Sequence, residues 1–254
     1  MIVIKSPSEI AIMRKSGAIL ALALLAVRER IAPGVTTAEL DAIAEEIIRS
    51  HGAIPAFKGV TQHSGQAPFP ATITSSINDE LVHGIPGPRK LRDGDIISID
   101  CGTIFKGFVG DSAFSAPVGE VTQEAARLLE VTEQALAVGI EMMRPGNRTG
   151  DVSHAIQQHV ETRGFSVVRE YTGHGVGRSM WEQPQVPNYG SPGRGARLRP
   201  GMTIALEPMV NQGAPGTRIL SDQWTVATVD GKPCAHFEHT IAVTRDGPVI
   251  LTLP

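Results

Sequence analysis

The chain has 254 residues, a length that fits one large domain or two small domains. Hydrophobic residues make up 41% and charged residues 19%, an ordinary composition for a soluble globular protein, and the formal net charge is −3. This balance argues against a nucleic-acid-binding protein that depends on a strongly basic surface. Two cysteines, Cys101 and Cys234, imply no disulfide framework and favour a reducing compartment.

The first predicted element is an apolar helix over Ser8–Ile31. Its central stretch, Ala18–Val27, follows Arg14 and Lys15 and so has the length and flank of a secretory signal. We favour a buried helix of the mature fold instead, because no small-residue cleavage pattern follows the stretch. The stretch is also too short to span a bilayer.

The next helix begins an internal repeat. Pro33–Gly52 and Pro145–Gly164 align at a constant offset of 112 residues, and both carry apolar residues at helical spacing. Thr36 and Glu39 form a capping-box pattern in the first copy, and its final glycine suits the position after a helix. Each copy follows another apolar helix, Ser8–Ile31 in the first case and Gln123–Met143 in the second.

The repeat continues into strands. Leu91–Asp100 and Leu198–Glu207 each run from a glycine-containing turn through an alternating strand to a carboxylate. A His-Gly pair precedes each strand, with His83 in the first half and His174 in the second. We therefore predict one α/β domain over 1–254, with repeats of roughly 8–115 and 120–250 and a site between them. Chance similarity between glycine-rich turns is the alternative.

Acidic residues on these strands predict a metal site. If Lys106-Gly107 is a hairpin turn, Asp100 lies opposite position 113, and Asp111 lies on the same face. Glu207 and Glu238, the latter in a predicted strand over 235–243, repeat this arrangement in the second half. Taken singly, each acid is a solvated strand end. Together with His174 they form an oxygen-rich donor set that suits Mn(II), Fe(II), Co(II) or Zn(II), and two bridging carboxylates can hold two ions.

These residues lie in motifs that resemble type I methionine aminopeptidases, which have the pita-bread fold with a central antiparallel sheet. The resemblance covers nearly the whole chain. Its specific parts are INDELVHGIP (77–86), IDCG to GD (99–111), YTGHGVGR (171–178), LRPGMTIALEPMV (198–210) and FEHT (237–240).

The resemblance implies a dinuclear site. In it Asp100 chelates one ion, Asp111 and Glu238 bridge both ions, and His174 and Glu207 complete the other. The implied reaction is attack of a metal-bridging hydroxide on the scissile carbonyl, with Glu207 accepting and relaying the proton. His83 is implied to contact the substrate amide and to assist the leaving amine, although a lone loop histidine is also an ordinary hydrogen-bonding residue.

Chain length places the resemblance with the minimal, bacterial-type form. The first helix begins too early for the N-terminal domain of prolidases, and only 31 positions separate Glu207 from Glu238, too few for the insert of type II forms. The resemblance implies a cytoplasmic monomer without membrane or nucleic-acid partners. Its substrates are peptides and nascent proteins, near the ribosome, that begin with methionine followed by a small residue.

Trp181 departs from the family pattern, which has a histidine at this position, after the GHGVGR motif. Indole keeps one N–H donor but cannot accept or carry a proton. Three hypotheses follow: an active enzyme with a reshaped pocket, a weaker enzyme or one moved to another substrate, and a module that binds N-termini without cleaving them. The enzyme alternatives include a related dinuclear aminopeptidase or Xaa-Pro dipeptidase of altered specificity.

The implied substrate pocket is lined by Phe57, Phe69, Thr74 and Trp224, whose aromatic rings suit a methionine sulfur. Ordinary core packing is the alternative for Trp224. The loop Gly59–Phe69 is longer than is usual in the family, which predicts altered access to the pocket. We interpret both cysteines as small packing residues.

Overall fold

Helices and strands alternate in two blocks along the chain, which the computed structural model describes over residues 1–61 and 66–254. The helices are α1 (Pro7–Arg30), α2 (Thr37–Ser50), α3 (Gln123–Met142) and α4 (Thr149–Glu161). The first strands are β1 (Ile54–Pro55), β2 (Ile73–Ile77), β3 (Glu80–Val82), β4 (Ile96–Phe105), β5 (Phe108–Pro117), β6 (Ser166–Val167), β7 (Thr172–Gly175) and β8 (Glu182–Pro187). The remaining strands are β9 (Thr203–Leu206), β10 (Met209–Asn211), β11 (Thr217–Ile219), β12 (Val226–Thr228), β13 (Cys234–His236), β14 (Glu238–Thr244) and β15 (Gly247–Ile250).

The predicted repeat of helices is confirmed in the backbone. Helix α2 begins at Thr37 and α4 at Thr149, again 112 residues apart. The Thr36–Glu39 capping box forms as predicted, and at α4 the carboxylate of Asp151 accepts the N–H of Arg148 instead, at 2.7 Å. Both helices therefore start with an acid that satisfies a free backbone donor.

Helix α1 contains the apolar stretch at 18–27. An 18-residue window of it reaches a mean hydropathy of 1.9, so by length and composition the helix passes a test for membrane spans, yet 44% of that window is buried within the fold. Leu20, Ala23 and Val27 are fully buried in the main core. At Gly17 an added Cβ would lie 2.2 Å from the carbonyl oxygen of Leu251, so only glycine permits this close approach.

A nine-stranded sheet forms the centre of the fold, with strand order β1-β4-β5-β14-β9-β7-β8, β2 beside β4 and β15 beside β14. Two three-stranded sheets, β13-β10-β6 and β11-β12-β3, flank it. Every strand pair named here is antiparallel, as predicted. One face of the central sheet packs on the helices and supplies the main core, including Ile97, Ile99, Ile204, Leu206 and Ile241.

Two predicted strands differ from those observed. The strand expected over 235–243 is broken at Phe237: β13 pairs with β10, whereas β14 pairs with β5, β9 and β15. The chain changes sheets at this point, and the N–H of Phe237 bonds to the carbonyl of Pro208 at 3.3 Å. The alternating strand expected within Leu198–Glu207 is observed as the four residues Thr203–Leu206. The long loop proposed at 59–69 lies partly outside the described residues.

Candidate metal centre and active site

Strand register places three of the predicted ligands, Asp100, Asp111 and Glu238, on one face of the central sheet. Asp100 pairs with Ala113, as predicted from the hairpin turn, and Ala113 in turn pairs with Glu238. Asp111 lies two residues from Ala113 and so shares its face. Because the neighbouring odd-numbered residues of β4, Ile97 and Ile99, face the helices, these carboxylates point to the opposite side of the sheet.

Glu207 and Glu238 lie where the chain passes between sheets. Glu207 follows β9, and after Pro208 the chain joins the three-stranded sheet as β10. Glu238 opens β14 directly after the break at Phe237. Paired registers bracket this junction, with Leu206 opposite His239 on one side and Met209 opposite His236 on the other. The chain thus passes between the same two sheets twice, after Glu207 and before Glu238, and both passages bring a glutamate next to the aspartates.

His174 reaches the acids because its flanking glycines allow the neighbouring strands to approach. A Cβ at Gly175 would lie 2.2 Å from the carbonyl oxygen of Gln183, and one at Gly173 would lie 2.7 Å from that of Ala205. The Nδ1 atom of His174 is 3.0 Å from the carbonyl oxygen of Gly175, so Nδ1 carries the proton. The Nε2 lone pair is thereby directed to the carboxylates.

The distances around His174 define a compact donor set. Its Nε2 atom lies 3.4 Å from Oε1 of Glu207 and 3.9 Å from Oδ2 of Asp111. One ligand atom each from Asp111, His174 and Glu238 lie within 4.8 Å of one another. Asp100 joins this set through the strand register, because it pairs with Ala113, which in turn pairs with Glu238. Burial and then the charge of Asp111 raise the pKa of Asp100 well above its usual range.

The acids carry an unbalanced charge. One carboxylate oxygen each of Asp100, Asp111 and Glu238 is buried without a hydrogen-bond partner. Burial raises the pKa of Asp111 to about 7. Burial and then the charge of Asp111 raise the pKa of Glu207 and Glu238 well above their usual range. The described residues that line the cavity include no lysine or arginine, so protons or a bound cation must balance the acids.

This donor set fits a divalent metal ion. Several hard oxygen ligands together with one neutral imidazole suit the first-row metals predicted from the sequence. The buried, unpartnered carboxylate oxygens supply the observation that supports the fit, because ordinary structural acids at this depth accept hydrogen bonds.

A cavity of about 600 Å³ opens onto these acids, and all eleven predicted site residues line it. Trp224 contributes its buried ring, which stands edge-on to Phe69 at 5.1 Å and donates from Nε1 to the carbonyl of Ala67 at 3.1 Å. Trp224 is therefore both a core residue and part of the cavity wall. Phe57, Thr74, Asp100, Asp111, His174, Trp181, Glu207 and Glu238 line other parts of the same cavity.

His83 lines the cavity beside its aromatic wall. Its ring lies edge-on to Tyr171 at 6.0 Å and to Trp224 at 6.4 Å. The backbone of His83 has a φ of 62°, which is uncommon for a residue other than glycine and is often found at functional sites. Burial lowers the pKa of His83 to about 4, so the ring is neutral near pH 7.

Trp181 lines the cavity and is 55% exposed, unlike Trp224. The loop that carries it is fastened by Glu182, whose carboxylate accepts the N–H groups of Arg178 and Ser179 and pairs with the buried ammonium of Lys5. The indole therefore stands on a fixed loop at the open side of the cavity. This geometry leaves it accessible to a bound peptide.

Two neighbours of the site were not found from the sequence. Tyr171 lines the cavity beside His83, and its place directly before the GHGVGR motif was the only available signal. His236 is buried next to Glu207, with its Nε2 atom 3.9 Å from Oε2 of the carboxylate. It lies in an apolar, alternating segment, so nothing in its spacing singled it out.

Comparison with known proteins agrees with this geometry. The family model described as metallopeptidase family M24 matches residues 11–245. The chain is 54% identical over 252 residues to methionine aminopeptidase 1 of Bacillus subtilis, covering 99% of each chain. A crystal structure of methionine aminopeptidase from Thermotoga maritima matches with a TM-score of 0.96 and 47% identity over 100% of both chains.

A more distant structure shows the fold alone. The prolidase from Pyrococcus horikoshii matches with a TM-score of 0.78 at 24% identity, over 98% of this chain and 63% of the prolidase. The pita-bread fold expected from the sequence is confirmed by these matches. By its family match and its relatives, the chain belongs to metallopeptidase family M24.

Proposed function

We propose that the protein is a metal-dependent aminopeptidase that removes the N-terminal methionine from peptides and nascent proteins whose second residue is small. The observation that carries the proposal is a single cavity in which buried, unbalanced carboxylates and His174 lie beside an aromatic wall. The relatives described as methionine aminopeptidases support this function over a binding module or an Xaa-Pro dipeptidase.

Two divalent ions, drawn from Co, Mn, Fe or Zn, are proposed to bind Asp100, Asp111, His174, Glu207 and Glu238. Divalent ions in such a site polarise a substrate carbonyl and make a nucleophile available from water at neutral pH. Asp111 and Glu238 lie on adjacent strands, and each places a ligand atom within 4.8 Å of the other and of His174, so these residues would hold an ion together.

The protein side chains then hold the substrate and move protons. Glu207 presents Oε1 to the cavity beside His174, where it can accept a proton from the attacking water and relay it to the leaving amine. His83 is neutral near pH 7 and can hydrogen-bond the substrate amide. The rings of Phe57, Phe69 and Trp224, with Thr74 beside them, offer soft contacts to a methionine side chain.

Trp181 is proposed to leave the enzyme active with a reshaped entrance. Its indole N–H can replace one donor of an imidazole, but the larger ring narrows the open side of the cavity. Removing one transition-state donor commonly lowers the rate by ~10²–10³, which slows such a reaction without abolishing it. We expect Trp181→His to raise kcat about tenfold or more, whereas Trp181→Phe, which lacks the N–H, lowers it.

The cellular setting is proposed from the family resemblance. Residues 1–254 act as one catalytic domain, a monomer in the cytoplasm, on chains emerging from the ribosome. Membranes and nucleic acids are not expected among its partners.

A peptidase assay on metal-stripped protein tests the function. Mn(II), Co(II), Fe(II) or Zn(II) is added back to peptides X-Gly and X-Ala with X varied, and X-Pro peptides serve as controls. The expected result is metal-restored release of methionine and of no other residue. Glu207→Gln supplies the matched inactive control, because it keeps the size of the side chain and removes the proton acceptor. Stoichiometric metal binding without cleavage of any peptide would overturn the proposal.

A further inference from the structure

His236 is a buried imidazole without a partner. It lies at the end of β13 and is 1% exposed, and neither ring nitrogen has a hydrogen-bond partner within the described residues. Leaving a buried polar group unpaired costs about 1–3 kcal/mol, so an apolar side chain of this size is the more stable choice on packing grounds. Such an exception requires an explanation beyond stability.

The nearest charged group explains it. Nε2 of His236 lies 3.9 Å from Oε2 of Glu207, while the other oxygen, Oε1, lies 3.4 Å from Nε2 of His174. The Glu207 carboxylate therefore stands between two imidazoles. His174 lines the cavity, whereas His236 is not among the described lining residues and lies behind the carboxylate.

The backbone fixes His236 in this place. Its residue pairs with Met209 across β13 and β10. Its N–H donates to Oγ of Ser115 at 2.9 Å, and its carbonyl accepts from the same hydroxyl at 2.8 Å. The backbone of His236 is thus held by β10 and by Ser115 of β5. A shift of about 1 Å in the Glu207 side chain brings Oε2 into hydrogen-bond range of the ring.

We propose that His236 is a positioning residue for Glu207, donating an imidazole N–H to Oε2 and thereby leaving Oε1 directed to the cavity. Nε2 is the ring nitrogen that faces Oε2, so the neutral ring supplies this donor in its Nε2–H tautomer. Groups that orient a ligating carboxylate commonly change metal affinity or activity 10–100-fold when removed. This inference rests on the proposed function only where the test below measures peptidase activity.

His236→Leu and His236→Gln form the test. Leucine removes the donor and keeps an apolar side chain of similar size, whereas glutamine retains an N–H donor. Mn(II) affinity is measured by calorimetry on metal-stripped protein, together with Tm of the metal-free protein and kcat and KM for a Met-Gly-containing peptide. His159→Leu on α4 is the matched control, because that residue is also a histidine with an unpartnered Nε2 and lies away from the cavity.

The expected result separates positioning from packing. His236→Leu lowers Mn(II) affinity or kcat 10–100-fold with KM within about twofold, while Tm of the metal-free protein stays unchanged or rises. His236→Gln recovers most of the loss. His159→Leu matches the wild type in Mn(II) affinity and kcat.

Wild-type Mn(II) affinity and kcat in His236→Leu would overturn the inference. So would equal losses in the Leu and Gln variants together with a lower metal-free Tm, which would indicate packing. If His236→Leu does not fold, His236→Met supplies the apolar variant. If the wild type binds Mn(II) but cuts no peptide, the proposed function fails, and the Mn(II) affinities of the variants still decide the role of His236.

Discussion

Asp111→Asn is expected to stabilise the metal-free protein and to weaken its affinity for metal. Asp111 is 4% exposed, and its Oδ1 atom has no hydrogen-bond partner within the described chain. Asparagine has nearly the same shape and no charge. The substitution therefore removes the energetic cost of a buried carboxylate and, with it, one of the carboxylates proposed to bind the metal.

The magnitude follows from the pKa of Asp111, which burial raises from 3.8 to about 7. At 1.36 kcal/mol per pKa unit, this difference corresponds to about 4 kcal/mol. Because the folded-state pKa is the higher one, the stability contributed by Asp111 is fully present below pH 3.8 and is lost as the pH rises through 7. Most of the loss, about 3 kcal/mol, falls between pH 5 and pH 8.

Urea unfolding of metal-stripped protein at pH 5 and pH 8 measures this effect. The wild type should lose about 3 kcal/mol more than Asp111→Asn over this interval, or roughly 5–10 °C in Tm. Asp246→Asn, in the exposed turn between β14 and β15, is the control and should follow the wild type. Parallel losses in the wild type and Asp111→Asn would refute the reasoning, because Asp111 would then ionise without cost in the folded protein.

Three further predictions concern the metal and the packing. Added Mn(II) should raise Tm more at pH 8 than at pH 5.5, since binding displaces protons from the acids; equal increments in differential scanning fluorimetry would contradict this. Trp224→Phe should lower the free energy of unfolding by about 1 kcal/mol, because the hydrogen bond to the carbonyl of Ala67 is lost. Trp224→Ala should lower it by about 3–5 kcal/mol, because the packing of the ring is lost as well. Equal stability of the two variants in urea unfolding would contradict a packing role for the ring. Gly17→Ala should destabilise by about 1–3 kcal/mol despite the better helix propensity of alanine, because its Cβ collides with the carbonyl of Leu251; a Tm equal to or above that of the wild type would show that the backbone yields freely.

Local signals explain which parts of the fold could be predicted. The helix expected over Ser8–Ile31 is observed as Pro7–Arg30. It could be predicted because its N-cap and its apolar residues lie close together in the sequence. The pairing of Asp100 with position 113 could be predicted from the turn at Lys106-Gly107 alone, because the loop that closes a hairpin fixes the register of its strands. The co-location of His174 with the acids required the repeat and the resemblance as well.

Long-range features escaped prediction for a physical reason. Alternation continues through Phe237, so no change in pattern marks the place where the chain leaves one sheet for another. The proximity of Glu207 to His236 arises only from that crossing. The sequence could not decide whether Trp224 is a core residue or a pocket residue, because a residue in a cavity wall packs against the core on one side and faces the cavity on the other.

The contact between Gly17 and the backbone at Leu251 also bears on how the chain reaches its folded state. These two residues are separated by 234 positions in sequence, and α1 packs against β4 and β5 as well. Helix α1 therefore cannot complete its packing until residue 251 has left the ribosome, although it is among the first segments to emerge. Closing such a long loop late makes folding slow and leaves an apolar helix exposed in the meantime. The helix that resembles a targeting signal is thus the segment for which a nascent-chain chaperone would have the longest time to bind.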